Sequence, residues 1–367
     1  MGETTTQQVS GNDSGKRLDR VVRRFLPGIP LGALAKLIRT GAIRVNDRKA
    51  RHNTRVTEGD SVQFPADLLE EESERIAGAR RNPAEPVRKS ATTELSVPVI
   101  HLDTDVLVLN KPAGIPVHGP QSLTVAVQDH VELAGWVEPS MSFRAGPVHR
   151  LDANTSGVQV FALSVSAARS LSEAIRDHRV RKAYLAVVKG AVQTATHTHE
   201  SIAYDKSTRT ARVGTGKPAA SWVVPIASDQ TGNSTLVLVW TESGRTHQVR
   251  AHLSALGFPL LGDGKYGGGG FDLQGSAGMA NGYGDVPRVG TGEAIRVPVQ
   301  NKRTPPTYLL HAVAFCAPES TWWTPLPPEM RRVVAQRFGS IKTISERVTE
   351  EVGLHCAGTI RNGRITV

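Results

Sequence analysis

The chain has 367 residues, with 44 Lys and Arg against 34 Asp and Glu, a formal net charge of +10 and a pI of about 9.8. Length points to about two domains at roughly 150 residues each, and 39% hydrophobic residues are enough for a real core, which excludes wholesale disorder. No apolar run nears the roughly 18 residues of a membrane span, and two cysteines, Cys316 and Cys356, are too few for a disulfide scaffold or a four-cysteine metal site.

Residues 1–13 are polar and carry two acids and no base, which predicts a disordered tail without a signal segment. Together with the few cysteines, this gives the expectation of a cytoplasmic protein that does not engage membranes. Residues 14–65 hold 12 bases and 4 acids, so +8 of the excess sits in one small module. Leu18, Val21, Val22 and Phe25 fall at helical spacing before Pro27-Gly28. A second helix follows through Leu31, Leu34, Leu37 and Ile38 to Gly41, then a turn and a closing strand at Ser61–Phe64. Lys36, Arg39, Arg44, Arg48, Lys49 and Arg51 cluster on the second helix and the turn after it. Such clustering fits contact with a phosphate backbone, although a solvated charged face has the same composition.

Residues 66–95, with EEESER and ARRNPAEPVRKS, read as a linker. From 96 to 330 the texture is mixed. Strands are predicted near Val99–His101, Val106–Leu109, Gly157–Leu163, Lys182–Lys189, Ser221–Ala227, Leu236–Trp240 and Tyr308–Phe315. Helices are predicted over 166–178, 246–256 and 329–338. Strands that succeed one another without regular helices between them argue for α+β, with a mixed, largely antiparallel sheet and flanking helices. The glycine-rich run 264–292 reads as a flexible surface loop, and 331–367 as a basic C-terminal extension.

Several chemical patterns compete. Gly262-Asp-Gly264-Lys-Tyr-Gly267 matches the dinucleotide fingerprint, but the glycine-rich run after it cannot be the required phosphate-binding helix. His197 and His199 have ligand spacing on a strand, yet no companion acid or cysteine motif, so no metal site is expected. His149-Arg150-Leu151-Asp152-Ala153-Asn154-Thr155-Ser156-Gly157 is the strongest signal, with an acid in a polar turn before an apolar strand. Asp152 and Ser156 are turn formers on the plain reading. On the chemical reading, a carboxylate at a strand mouth needs a cation to stay ionised, and Arg150 and the run Arg245-Thr246-His247-Gln248-Val249-Arg250 offer several.

HRLDANTSG, together with KPAGIPVHG, VRKAYLAVVKG, GRTHQVRAHLSALGFPLLGDGKYG and LLHA, resembles the pseudouridine synthases of the RluA family, in the family's order across residues 105–315. The basic module resembles an S4 RNA-binding domain. The combination is most similar to bacterial large-subunit ribosomal RNA pseudouridine synthases of the C or D type. The resemblance implies the pseudouridine synthase fold and an isomerase that turns uridine into pseudouridine in structured RNA. Ribosomal RNA is the first expectation, with transfer RNA, or a non-catalytic ribosome-assembly role on the same fold, as alternatives.

Residue by residue, the resemblance implies that Asp152 is the catalytic aspartate, that Tyr184 lies against the target base and that Arg245 pairs with the aspartate. It implies that Arg150 fills the space of the extruded base and that Leu310, His149, Thr246 and His247 line the substrate site. The chemistry fits this set, because an isomerase must exclude water and retain the detached base, so one carboxylate suffices where a hydrolase commonly shows two. Asp152 is expected either to attack C1′ or to remove a sugar proton. No metal or cofactor is required, and a monomer is expected.

Overall fold

The computed structural model describes residues 4–26, 28–68, 93–137, 140, 143–269, 293–299, 308–356 and 359–360. The chain divides into two compact units: residues 1–90 with 131–145 and 163–165, and residues 91–130 with 146–162 and 166–367.

In the first unit, β1 (Thr4–Gln8) precedes α1 (Leu18–Phe25) and α2 (Leu31–Thr40), followed by β2 (Arg44–Val45), β3 (Arg48–Lys49) and β4 (Ser61–Pro65). The sheet order is β1-β4-β2-β3. Leu18, Val21, Val22, Leu34 and Ile38 pack on Ile43, Val62 and Phe64, so the helical stripes legible in the sequence form this core. Helix α2 ends at Gly41 with φ 83°, and a side chain there would run into Lys49, which lies across it. The expected disordered tail is corrected at residues 4–8. Thr4–Gln8 pairs in full antiparallel register with Pro65–Ser61, its Thr and Gln side chains alternately exposed and half-buried as suits an edge strand.

The second unit contains β5 (Thr93–Leu102), β6 (Val106–Lys111), most of α3 (Leu123–Leu133), β7 (Gly146–Pro147), β8 (Ser156–Ala162), all but the first residue of α4 (Val165–Arg176), and β9 (Arg181–Lys189). It continues with β10 (Thr196–Thr198), β11 (Ile202–Asp205), β12 (Thr210–Val213), β13 (Ser221–Ser228), β14 (Ser234–Thr241) and α5 (Gln248–Ala255). Then come β15 (Ala294–Val299), β16 (Leu310–Cys316), β17 (Ser320–Trp323), α6 (Pro328–Phe338), α7 (Ile341–His355) and β18 (Thr359–Ile360). The main sheet runs β10-β13-β14-β9-β16-β8-β6-β5-β15. Its pairings are antiparallel except β16 with β8 and β17 with β18, as the α+β expectation required.

Strand alternation sorts the faces. Ala183, Leu185 and Val187 of β9 join Leu238 and Trp240 of β14 in one cluster with Met330, Val333 and Val334 of α6 and Ile344, Val348 and Val352 of α7. Ala186 and Val188 face the other way, onto Val249 and Leu253 of α5. Residues 331–355 are therefore part of the core of this unit, which corrects the expectation of an appended extension starting at 331. Cys356, after α7, is bonded to Cys316 at the end of β16. The two cysteines form no scaffold, but they are paired.

Strand β5 begins at Thr93, inside the expected linker, of which 69–92 lie outside the described residues, as do 270–292 of the expected glycine-rich loop. No helix among the described residues is long and apolar enough to cross a membrane.

Candidate active site

On the α5 face of the sheet lies a cavity of about 340 Å³, lined among others by Arg150, Asp152, Lys182, Tyr184, Arg245, Thr246, His247, Arg250 and Leu310. Asp152 is the sole carboxylate among the described residues that line it.

The turn carrying Asp152 is held from behind. Lys111 is fully buried, and its ammonium donates to the carbonyls of Pro112 (2.9 Å), Ile115 (2.8 Å) and Ala153 (2.9 Å). A buried ammonium is tolerated when its protons are all satisfied in this way, and here it ties the KPAG loop to the residue after Asp152. Gln159 of β8 adds a second tie, donating to the His149 carbonyl at 2.7 Å and accepting the Leu151 N–H at 3.3 Å. Gly157 completes the support. A Cβ there would lie 2.2 Å from the Ala312 carbonyl oxygen, so β8 and β16 can approach only with glycine at this position.

The cation facing Asp152 is Arg250, not Arg245. Arg250 Nη1 lies 3.6 Å from Asp152 Oδ2, while its Nε and Nη2 donate to Asp263 at 2.7 and 2.9 Å. The guanidinium lies between the rings of Tyr308 and Tyr266, 4.6 and 4.8 Å from their centroids. Burial works to discharge Arg250, but its hydrogen bonds to Asp263, with the charges around it, outweigh this and hold the group more firmly charged than usual. Arg245 instead donates from Nε to the Pro218 carbonyl at 3.0 Å, and its N–H goes to Gln248 Oε1 at 3.0 Å. The expected Arg245–Asp152 pair is corrected on this geometry. Both arginines belong to one RTHQVR run, but α5 begins between them, so they leave the chain in different directions.

His247 is the second group at the carboxylate. It sits at φ 57°, a left-handed conformation that costs a non-glycine residue about 1–3 kcal/mol. Tyr266 Oη accepts the Ala211 N–H at 2.7 Å and so turns its own proton toward His247 Nδ1, 2.8 Å away. Nε2 then carries the imidazole proton and faces Asp152 Oδ2 at 3.8 Å. Burial lowers the His247 pKa against the pull of Asp152, which favours this neutral form.

The remaining expected residues divide. Tyr184 and Leu310 line the cavity, and burial together with the Asp152 charge raises the Tyr184 phenol well above its usual range. Arg150 is exposed and donates from Nη2 to Thr246 Oγ1 at 2.6 Å. His149 also lines the cavity, yet its ring stacks on Phe315 at 4.8 Å, and its Nε2 accepts the Val160 N–H at 3.1 Å. Burial and the charge of Lys182 lower its pKa to about 3, so it is a neutral wall residue. Sequence reasoning offers Arg250 only as one cation of the Arg245–Arg250 run and assigns no role to Asp263, Tyr266, Tyr308 or Lys111. Asp263 stood in view within the failed Gly-Asp-Gly fingerprint, where the aspartate, rather than the glycines, is the informative residue.

In the first unit, Lys36, Arg39, Arg44, Arg48, Lys49 and Arg51 are all exposed. Arg44 stands directly across from Lys49 in the β2–β3 pair, and none of the six makes an ion pair among the described residues. Like charges opposed across a ladder are unfavourable unless an anion covers them.

The family described as RNA pseudouridylate synthase matches residues 105–255, and the S4 domain matches residues 16–62. Ribosomal large subunit pseudouridine synthase C of Salmonella typhi is 32% identical over 271 residues, covering 72% of this chain and 81% of that protein. The protein of the same name from Escherichia coli (strain K12) is 31% identical over 271 residues, with 72% and 81% covered. A solved structure, Human RNA Pseudouridylate Synthase Domain Containing 4, is 24% identical with a TM-score of 0.47, covering 65% of this chain and 92% of that one.

Proposed function

Because the chain belongs to the RNA pseudouridylate synthase family, with an S4 domain in front, we propose that it isomerises uridines of large-subunit ribosomal RNA and that Asp152 is its catalytic carboxylate. The reaction breaks N1–C1′, turns the uracil, joins C5 to C1′, releases the C5 proton and returns a proton to N1. The observation that carries the reading is a lone carboxylate, Asp152, at a cavity wall beside a permanently charged Arg250 and a neutral His247.

Whether Asp152 attacks C1′ or takes a ribose proton, it acts as an anion. Arg250 stabilises that anion, and Asp263 holds Arg250 so that little reorganisation is needed as charge moves in the reaction. His247 Nε2–H is placed to donate once the cavity tightens around a nucleotide. Tyr184 presents its ring to the detached uracil, and its raised pKa keeps the phenol neutral beside Asp152. Arg150, parked on Thr246 at the exposed rim, is free to swing into the stack when the target leaves it, a step that costs a few kcal/mol of unstacking. Leu310 closes the apolar side of the pocket. The S4 cations supply capture of the RNA, and their uncovered like-charge pair supports a polyanionic partner for that surface.

The substrate is tested with purified protein and unmodified transcripts of large-subunit ribosomal RNA and of transfer RNA, mapping the pseudouridines formed. Modification at discrete positions of the ribosomal transcript is expected. Modification confined to transfer RNA would replace this substrate with the other.

A further inference from the structure

Lys182 is a buried cation with no role in the chemistry assigned to Asp152, Arg250 and His247. It is 3% exposed, and among the described residues it makes no hydrogen bond and no ion pair. The other deeply buried cations are matched: Lys111 by three carbonyls, and Arg250 by Asp263. An ammonium so enclosed loses much of its hydration, and an anion in the cavity would supply the counter-charge it lacks among the described residues.

The fold aims Lys182 at the cavity. In β9 it stands two residues before Tyr184, so both side chains share the α5 face, and both line the pocket. Across the sheet it is opposed by Thr241 of β14 and Phe315 of β16, neither of them charged. The ionisable groups facing it are His149, which is neutral, and Arg245. Its Nζ lies 3.3 Å from where a Cβ would stand on Gly244, so the absence of a side chain there leaves the ammonium room beside an exposed stretch of main chain. Ser243, Gly244, Arg245 and Thr246 form the cavity wall just ahead of α5, where the helix dipole presents its positive end. Arg150, Lys182 and Arg245 line the same cavity, with Arg250 already engaged by Asp263 and Asp152 and with Asp152 the single lining carboxylate among the described residues.

We propose that Lys182 and the turn Ser243–Thr246 form an anion subsite that takes a phosphate of the target nucleotide. The inference rests on the RNA-isomerase reading and adds to it a place for the backbone of the flipped nucleotide, beside the wall that holds its base. Burial, and then the charge of Arg245, lower the Lys182 pKa to about 8, so the site is mostly charged near neutrality and loses its charge in mild alkali.

The test uses the full chain and tritium release from uridine-labelled large-subunit ribosomal RNA transcript. Uridine, uridine 5′-monophosphate and uridine 3′-monophosphate serve as competing inhibitors. For the wild type, at least one nucleotide is expected to inhibit about tenfold more tightly than uridine, an advantage of about 1.4 kcal/mol. In Lys182→Met that advantage disappears, and KM for the transcript rises about tenfold with a much smaller change in kcat, the pattern of weakened binding with the chemistry intact. The wild-type advantage also shrinks between pH 7 and 9. Gly244→Ala, which crowds Nζ without removing charge, is expected to reduce it too. The melting temperature of Lys182→Met should hold or rise, since an unmatched buried charge is removed.

Equal inhibition by nucleoside and nucleotides in the wild type would overturn the proposal. So would an advantage that survives in Lys182→Met, a fall in kcat with KM unchanged, or a marked fall in melting temperature. Absence of tritium release from any RNA by the wild type would instead overturn the isomerase reading itself.

Discussion

Arg250 bears on Asp152 from a position that Asp263, Tyr266 and Tyr308 fix on three sides. A lysine there keeps the charge but cannot reproduce the fork on Asp263. Arg250→Lys is therefore expected to lower kcat about a hundredfold, the scale of losing a preorganised electrostatic partner. Arg245→Lys, which alters a group bonded to the Pro218 carbonyl, should change kcat far less. Comparable kcat losses in the two variants, measured at saturating RNA, would contradict the assignment. At this scale the sequence disclosed most of the cavity: Asp152, Tyr184, Arg150, Thr246, His247 and Leu310 all line it. It could not choose between two arginines five positions apart, because the choice depends on where α5 starts and on an aspartate thirteen residues further on.

Two elements carry their own tests. The β2–β3 pair of the first unit sets Arg44 against Lys49, and neither makes an ion pair among the described residues. Replacing both by Gln should weaken RNA binding at all sequences. The slope of log affinity against log salt should also become shallower, by about 0.9 for each phosphate that is no longer neutralised on a duplex. An unchanged slope would mean that this hairpin does not touch phosphate. Helix α7 is tied to β16 by Cys316–Cys356, which are 40 residues apart in sequence. Closing a loop of that length stabilises by about 4 kcal/mol in the chain-entropy account. Reduction, or Cys356→Ser, should lower the melting temperature by several degrees, and no change would show that the helix is held by Ile344, Val348 and Val352 alone. Those three residues sit at helical spacing, yet the surrounding SERVTEEVG is polar enough for the segment to read as solvated. Strand β1 escapes sequence reading for a related reason. Its Thr-Thr-Thr-Gln-Gln has no apolar alternation, and its pairing depends on β4, more than fifty residues away.

For the molecule as a whole, the proposed function divides charge and chemistry between units. The excess of +8 lies in residues 14–65, while residues 96–330 carry 20 bases and 18 acids. The net figure of +10 points to nucleic acid; on the proposed reading, capture falls to the small unit and reaction to a nearly neutral sheet. That sheet also predicts how the protein responds to acid. Burial lowers His149 to about 3, with help from Lys182, and His311 to about 4, against the Thr324 carbonyl, which favours the charged ring. In the unfolded chain both titrate near an ordinary value of about 6.5, so below that pH the unfolded state binds protons the folded state refuses. Stability is therefore expected to fall as pH drops from about 6.5 toward 4, and a melting temperature flat over that range would contradict burial of these rings.

The measurement that bears most directly on the account is tritium release by Asp152→Asn from uridine-labelled large-subunit ribosomal RNA, run beside a binding assay on the same RNA. Asn preserves the shape of the turn that Lys111 and Gln159 support, and the S4 surface is untouched. The account predicts wild-type affinity with no release of tritium above background. Release at a rate near the wild type would show that the reaction does not depend on Asp152, and the cavity would lose its claim to be the active site.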